Sequence, residues 1–275
     1  MNARRFADTK ELAFRIRRHA LRMTHKARAS HIGSGLSMAD ILAVIYGEVL
    51  RNDPLDPTNQ ERDRLVVSKG HAAAIVYAVL AEAGFIPVDW LEGYCEDDSR
   101  LAGHVTHRNV PGVELSTGSL GHGLPVGAGM ALAAKRDGRG TRVFVILSDG
   151  EMDEGSNWEA IQFAQHFQLD NLVAIVDYNK IQSFGRVSEV SELEPFADKW
   201  RAFNWGVREI DGHDHAALND TFAALPFNAG KPNVIIAHTV KGKGVSFMED
   251  KLAWHYKSAN AEELALALAE LDAAL

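Results

Sequence analysis

The chain has 275 residues, enough for one large α/β domain or two small ones. Hydrophobic residues are 46% and charged residues 24%, as in soluble globular proteins, and a net charge of −8 argues against a nucleic-acid or acidic-membrane surface. Cys95 is the single cysteine, so no intrachain disulfide can form and a cytoplasmic home is expected. The basic start, "MNARRFADTKELAFRIRRHA", lacks the continuous apolar core of a signal peptide. No stretch approaches the ~20 apolar residues of a membrane helix.

In chain order, Leu12, Ile16, Ala20 and Met23 are spaced for one face of an amphipathic helix within the first thirty residues. A second helix is expected from Ser37, an N-cap type with Asp40 three residues on, through "ADILAVIYGEVL". "RLVVS" reads as a strand that breaks at "KGH" and enters the helix "AAAIVYAVLAEAG". Then come the helix "GLPVGAGMALAAKRDG", the strand "RVFVIL", the helix "SNWEAIQFAQHF" and the strand "NLVAIVDYN". "WGVREID" and "NVIIAHTVKGKG" are two further strands around the helix "AALNDTFAAL", and "AEELALALAELDAAL" is a closing amphipathic helix. Apolar β-branched strands alternating with helices predict an α/β fold, a mostly parallel sheet with helices on both faces. Ligands of such sheets bind beyond the carboxyl ends of the strands. The motif-rich turns "SKGHA", "SDGEMDEGSN", "DYNKIQSFG" and "HTVKGKG" all fall there, which predicts one site.

The acidic turn carries Asp149, Glu151, Asp153 and Glu154. One strand–helix–strand crossover separates Asp149 from Asn179, so the two can meet at neighbouring strand ends. A carboxylate with an amide oxygen suits Mg²⁺ bridging phosphates, and a helix N-terminus near Ser156–Asn157 favours an anion. The same acids equally suit a helix start stabilised by its dipole. Four histidines lie in Gly-rich turns: His31, His71, His104 and His122. With His255 they can bind phosphate or hydroxyls and move protons near neutral pH. The pairs His104/His107 and His213/His215 have zinc-like spacing but no evident acid or cysteine partner. The glycines of residues 121–129 fail the dinucleotide pattern, the "KGKG" lysine lacks a P-loop, and an EF-hand is excluded.

Taken together, "SDG…DYN", "SHIGSG", "SKGHA", "STGSLGHGL" and "TVKGKG", running from about Arg15 to about His255, resemble the thiamine-diphosphate domain of transketolases. The length resembles the N-terminal subunit of a split, two-chain transketolase. The resemblance implies a single thiamine-diphosphate- and Mg²⁺-binding (PP-type) domain over 1–275, with a helical segment at about 8–50. Ca²⁺ or Mn²⁺ would be able to substitute. It implies Asp149, Asn179 and the Ile181 carbonyl as metal ligands. Gly150, His71, His255, Gly118 and Leu120 would contact the cofactor. Glu151 joins the cofactor-binding candidates by its place in the loop, although for it and Asp153 the helix dipole is the simpler account. His31, His104 and His71 match histidines of the substrate and cofactor channel, Glu154 the acid of an inter-subunit carboxylate network, and His122 has no firm counterpart. Ser148 stands where the family has Gly, which leaves the metal assignment intact.

The activity so implied is transfer of a two-carbon ketol unit from a ketose or ketose phosphate to an aldose. A C-terminal partner chain would supply the activating glutamate, as α2β2, with no nucleic acid or membrane involved. Rival expectations are a deoxyxylulose-phosphate synthase-like or 2-oxo acid dehydrogenase E1-like subunit, or a non-catalytic cofactor-binding scaffold. Sugar hydroxyls need the donors of His31, His71 and His104, which favours the transketolase reading.

Overall fold

The structure, a computed structural model, describes residues 8–274. Residues 1–7, the beginning of the stretch inspected for a signal peptide, lie outside the described residues. The first helix, α1 (Thr9–Ala27), forms where the spacing predicts. The Asp8 carboxylate caps it by accepting from the Lys10 N–H at 2.8 Å. Leu12, Ile16, Ala20 and Met23 are all buried along one face, and Arg28 ends the helix in the left-handed region (φ 50°).

The next segment departs from expectation. In place of one helix begun by Ser37 there are two short ones, α2 (Ile32–Ser37) and α3 (Ala39–Val44), followed by a π turn at Ile45–Val49. Ser37 does not cap; its hydroxyl donates to Asp177 at 2.5 Å. Asp40 does not complete a capping box. It is buried against the Arg17 guanidinium (2.6 and 2.9 Å) and accepts from His213 Nδ1 (2.7 Å) and His215 Nε2 (3.1 Å). Long-range burial of polar groups outweighs a local cap of about 1 kcal/mol. The His213/His215 pair thus has an acid partner, yet the other nitrogens are also engaged. His213 Nε2 accepts from the Val240 N–H at 2.9 Å, and His215 Nδ1 is bonded to the Thr9 hydroxyl at 2.7 Å. This is a packing cluster and not a zinc site.

Among the described residues five parallel strands make the sheet: β1 (Arg64–Val67), β2 (Val143–Ser148), β3 (Leu172–Tyr178), β4 (Gly206–Asp211) and β5 (Asn233–His238), in the order β1-β2-β3-β5-β4. Every residue of β2 and β3 is buried, as strands covered on both faces require. The two-residue period separates two cores. Leu65, Val67, Phe144 and Ile146 pack with α1–α3, α4 (Ala73–Glu82) and α9 (His215–Ala223). Val66, Val143, Val145 and Leu147 pack with α5 (Gly123–Arg136), α6 (Gly155–His166) and α8 (Phe196–Ala202). A short α7 (Val187–Val190) and the closing α10 (Ala261–Ala273) complete the described chain.

The sequence reading omits α8, although Pro195 at its cap and buried Phe196 and Trp200 four residues apart are helix signals. The last strand is shorter than "NVIIAHTVKGKG". It ends at His238, and Gly242 turns the chain at φ 82° where a Cβ would lie 2.4 Å from the Met248 carbonyl oxygen.

Candidate active site

The strand order brings the carboxyl ends of β1, β2, β3 and β5 into one row, and parallel register aligns them. Ser148 pairs with Asp177, and Tyr178 with His238. The turns that follow these strands, with α2 and Leu120, enclose a cavity of about 170 Å³. Ser34, His71, Asp149, Asn179, Lys241 and His255 line it.

Asp149 is 1% exposed. Its two oxygens accept backbone N–H bonds from Gly150 (2.7 Å) and Lys180 (2.5 Å), with no cationic side chain in contact. Burial, and next the nearby Asp177 charge, push its carboxyl up to about 6. Asn179 Oδ1 accepts from the Ile181 N–H at 3.1 Å and keeps a second lone pair. Gly150 and Ile181 also line the cavity. A buried carboxylate with no cationic side chain in contact, next to an amide and a carbonyl oxygen, is a donor set for a hard divalent cation.

Beside these oxygens the cavity wall is basic and imidazole-rich. The Lys241 ammonium, 1% exposed, donates to the Ile181 carbonyl (2.9 Å) and to His255 Nδ1 (2.8 Å). Burial, then the Lys69 charge, lower it to about 8. The His31 ring centroid lies 5.1 Å from that of His71, 5.0 Å from His255 and 6.0 Å from His104. His31 reaches this place because it stands in the left-handed region (φ 74°) and its N–H donates to the His255 carbonyl at 2.9 Å. Burial is the first cause holding His31 at about 4 and His255 at about 3, and it holds His71 well below 6.5. All three are therefore neutral at pH 7, each with one donor and one acceptor nitrogen. His71 Nε2 is bonded to the Ser34 hydroxyl at 3.1 Å.

The glycines allow close approach. A Cβ on Gly70 would meet the Thr117 carbonyl at 2.4 Å, and one on Gly118 would lie 3.1 Å from the His104 ring. His104 joins the histidine cluster at its edge.

Other candidates lie elsewhere. Glu151 does not line the cavity. It is fully buried behind the turn, where it accepts from Ser68 Oγ, the Gly121 N–H (2.9 Å) and the Ser148 N–H (3.3 Å). The helix-dipole account of Glu151 is corrected accordingly, since it ties three loops together. Asp153 is exposed and accepts from Gln182 Nε2 at 3.0 Å. A single 3-10 turn, Gly150–Asp153, separates the cavity from α6, so that Ser156 lines another groove, together with His122. The expected anion-binding helix start is thus displaced from the cavity. Glu154 is exposed at the cap of α6. Sequence reading assigned no role to Lys241, Ser34 or Gln182, all in the cavity wall. The signal for Lys241 was its position in a turn already placed at the site.

A family model described as "Transketolase, thiamine diphosphate binding domain" matches residues 8–272. One of the subunits of the apulose-4-phosphate transketolase of Actinobacillus succinogenes is 48% identical over 241 residues, 88% of this chain and 87% of that one. The 6-deoxy-6-sulfo-D-fructose transketolase subunit SqwG of Clostridium sp. is 41% identical over 265 residues, 96% of both chains. Among solved structures, transketolase from Leishmania mexicana superposes with a TM-score of 0.91 at 31% identity. That match covers 97% of this chain and 42% of the Leishmania chain, so the present chain spans about two-fifths of the solved enzyme.

Proposed function

The chain belongs to the transketolase family, as its thiamine-diphosphate-binding N-terminal part, and from that premise we propose that it is the cofactor- and metal-holding half of a two-chain ketol transferase. The carrying observation is Asp149, a buried carboxyl pushed up to about 6 with no counter-charge in contact, beside the oxygens of Asn179 and Ile181. Mg²⁺ takes few protein ligands and fills its shell with phosphate and water oxygens, which fits this sparse donor set. Ca²⁺ or Mn²⁺ would suit the same oxygens.

Lys241, His71 and His255, which line the same cavity, would hold the diphosphate oxygens. Gly150 would leave room for them, and Leu120 in the cavity wall, with Gly118 nearby in the same turn, would contact the cofactor ring. Thiamine diphosphate held there would supply a nucleophilic carbon for ketol transfer. His31 and His104 extend from the cofactor end of the cluster to hydrogen-bond sugar hydroxyls. His31, a neutral imidazole with one donor and one acceptor nitrogen, is suited to move protons between hydroxyl and carbonyl oxygens of the substrate.

The cavity of about 170 Å³ is smaller than the roughly 300–1,000 Å³ that enclose a ligand of this size. This supports a site completed by a second subunit, which supplies the activating glutamate, with Glu154 directed to that interface in an α2β2 assembly. Residues 1–275 act as one cofactor-binding unit in the cytoplasm. The donor is a ketose or ketose phosphate and the acceptor an aldose.

Calorimetric titration of thiamine diphosphate, with and without Mg²⁺, tests the reading. Saturable binding that requires Mg²⁺ and is lost in Asp149→Ala is expected. Metal-independent binding, or unchanged affinity in the variant, would refute the ligand assignment.

A further inference from the structure

Three strands repeat one arrangement at their carboxyl ends. Each places a polar residue in a buried network and, two residues later, a residue in the cavity wall: Lys69 then His71, Asp177 then Asn179, Thr239 then Lys241. The network centres on Asp177, which is completely buried. Its carboxylate accepts from Ser37 Oγ and from Lys69 Nζ, both at 2.5 Å. It also accepts from Thr239 Oγ1 and, in a longer contact of 3.5 Å, from Asn179 Nδ2. Lys69 is equally buried and donates a second bond to the Ser34 carbonyl at 3.0 Å. One carboxylate thereby ties α2 to the turns after β1, β3 and β5.

A buried Lys–Asp pair is a poor device for stability, because well-packed apolar residues of like volume commonly serve as well or better. What it does here is geometric. The amide nitrogen of Asn179 is turned into the network, which leaves its oxygen on the Ile181 side, where the proposed cation sits. Ser34, whose carbonyl Lys69 holds, presents its hydroxyl to His71. Resting on the cofactor reading above, we infer that Asp177 and Lys69 are positioning residues for the metal–diphosphate site. They touch neither group and set the orientation of Asn179, His71 and Lys241. Outer partners of this kind typically contribute 10–100-fold to metal affinity.

The test replaces both charges at once, Lys69→Met with Asp177→Leu, in the full chain saturated with its partner subunit. Thiamine diphosphate and Mg²⁺ are titrated calorimetrically and thermal unfolding is followed without ligand. The expected result is a variant that still folds, with its unfolding midpoint lowered because the Thr239 hydroxyl loses its buried acceptor, and with cofactor affinity lower by about tenfold or more. Equal affinity in the folded double variant would overturn the inference and leave the cofactor reading standing. No binding by the unmodified chain would overturn both. If the double variant does not fold, Thr239→Val decides, since it keeps the ion pair and removes one donor. A loss of about threefold in affinity, in a variant that stays folded at the assay temperature, supports the role. Unchanged affinity overturns it.

Discussion

Replacing Asp149 by Asn should make the metal-free chain more stable at high pH while removing its metal site. The folded chain holds this carboxyl at about 6, against an ordinary 3.8. Between pH 4 and 6 it therefore keeps a proton that the unfolded chain has released, and wild-type stability falls as pH rises through that window. A difference of roughly two units at about 1.4 kcal/mol each amounts to about 3 kcal/mol by pH 8. Asn escapes this loss. It keeps only one of the two acceptors that serve the Gly150 and Lys180 N–H groups, which costs about 1 kcal/mol. The net gain at pH 8 is about 2 kcal/mol, or roughly 5 °C in Tm for a chain of this size. At pH 4 the gain vanishes, and the lost hydrogen bond leaves the variant slightly the less stable. The buried histidines titrate in both proteins and cancel in the difference. Thermal unfolding of both proteins in chelator at pH 4 and pH 8 measures it. A difference that does not change with pH, or a variant less stable at pH 8, would refute the picture of an uncompensated buried carboxylate.

Three other substitutions separate binding, turnover and packing. His31→Ala or His104→Ala should leave cofactor affinity nearly unchanged and lower turnover by about 10²–10⁴, the range of a lost proton-transfer group; steady-state kinetics beside calorimetry reads both, and a parallel loss of cofactor would place these rings at the diphosphate instead. Gly70→Ala drives a Cβ to 2.4 Å from the Thr117 carbonyl, so urea unfolding should show a loss of about 1–3 kcal/mol. Unchanged stability would mean that the 117–121 loop moves freely.

The parallel sheet was legible because β2 and β3 are runs of apolar residues up to Leu147 and Val176, a pattern that a strand covered on both faces requires. The site was legible for a related reason: its motifs follow strands and so share one end of the sheet. Ser37 and Asp40 were misread because local cap chemistry looks the same whether or not a residue 140 or 173 positions away claims the side chain. Glu151 shows the same limit. Periodicity cannot tell an acid at a helix start from one buried by Ser68, Gly121 and Ser148, which only the fold brings together. Lys241 and Ser34 lay in motifs already quoted and lacked only a geometry to give them partners.

Reconstitution of ketol transfer tests the central claim most directly. The chain by itself, its partner by itself and the mixture are assayed with thiamine diphosphate, Mg²⁺, a ketose phosphate and an aldose acceptor. Turnover in the mixture only, with each separate chain nearly inactive, is the predicted result. Full turnover by the chain without its partner would contradict a site completed by a second subunit.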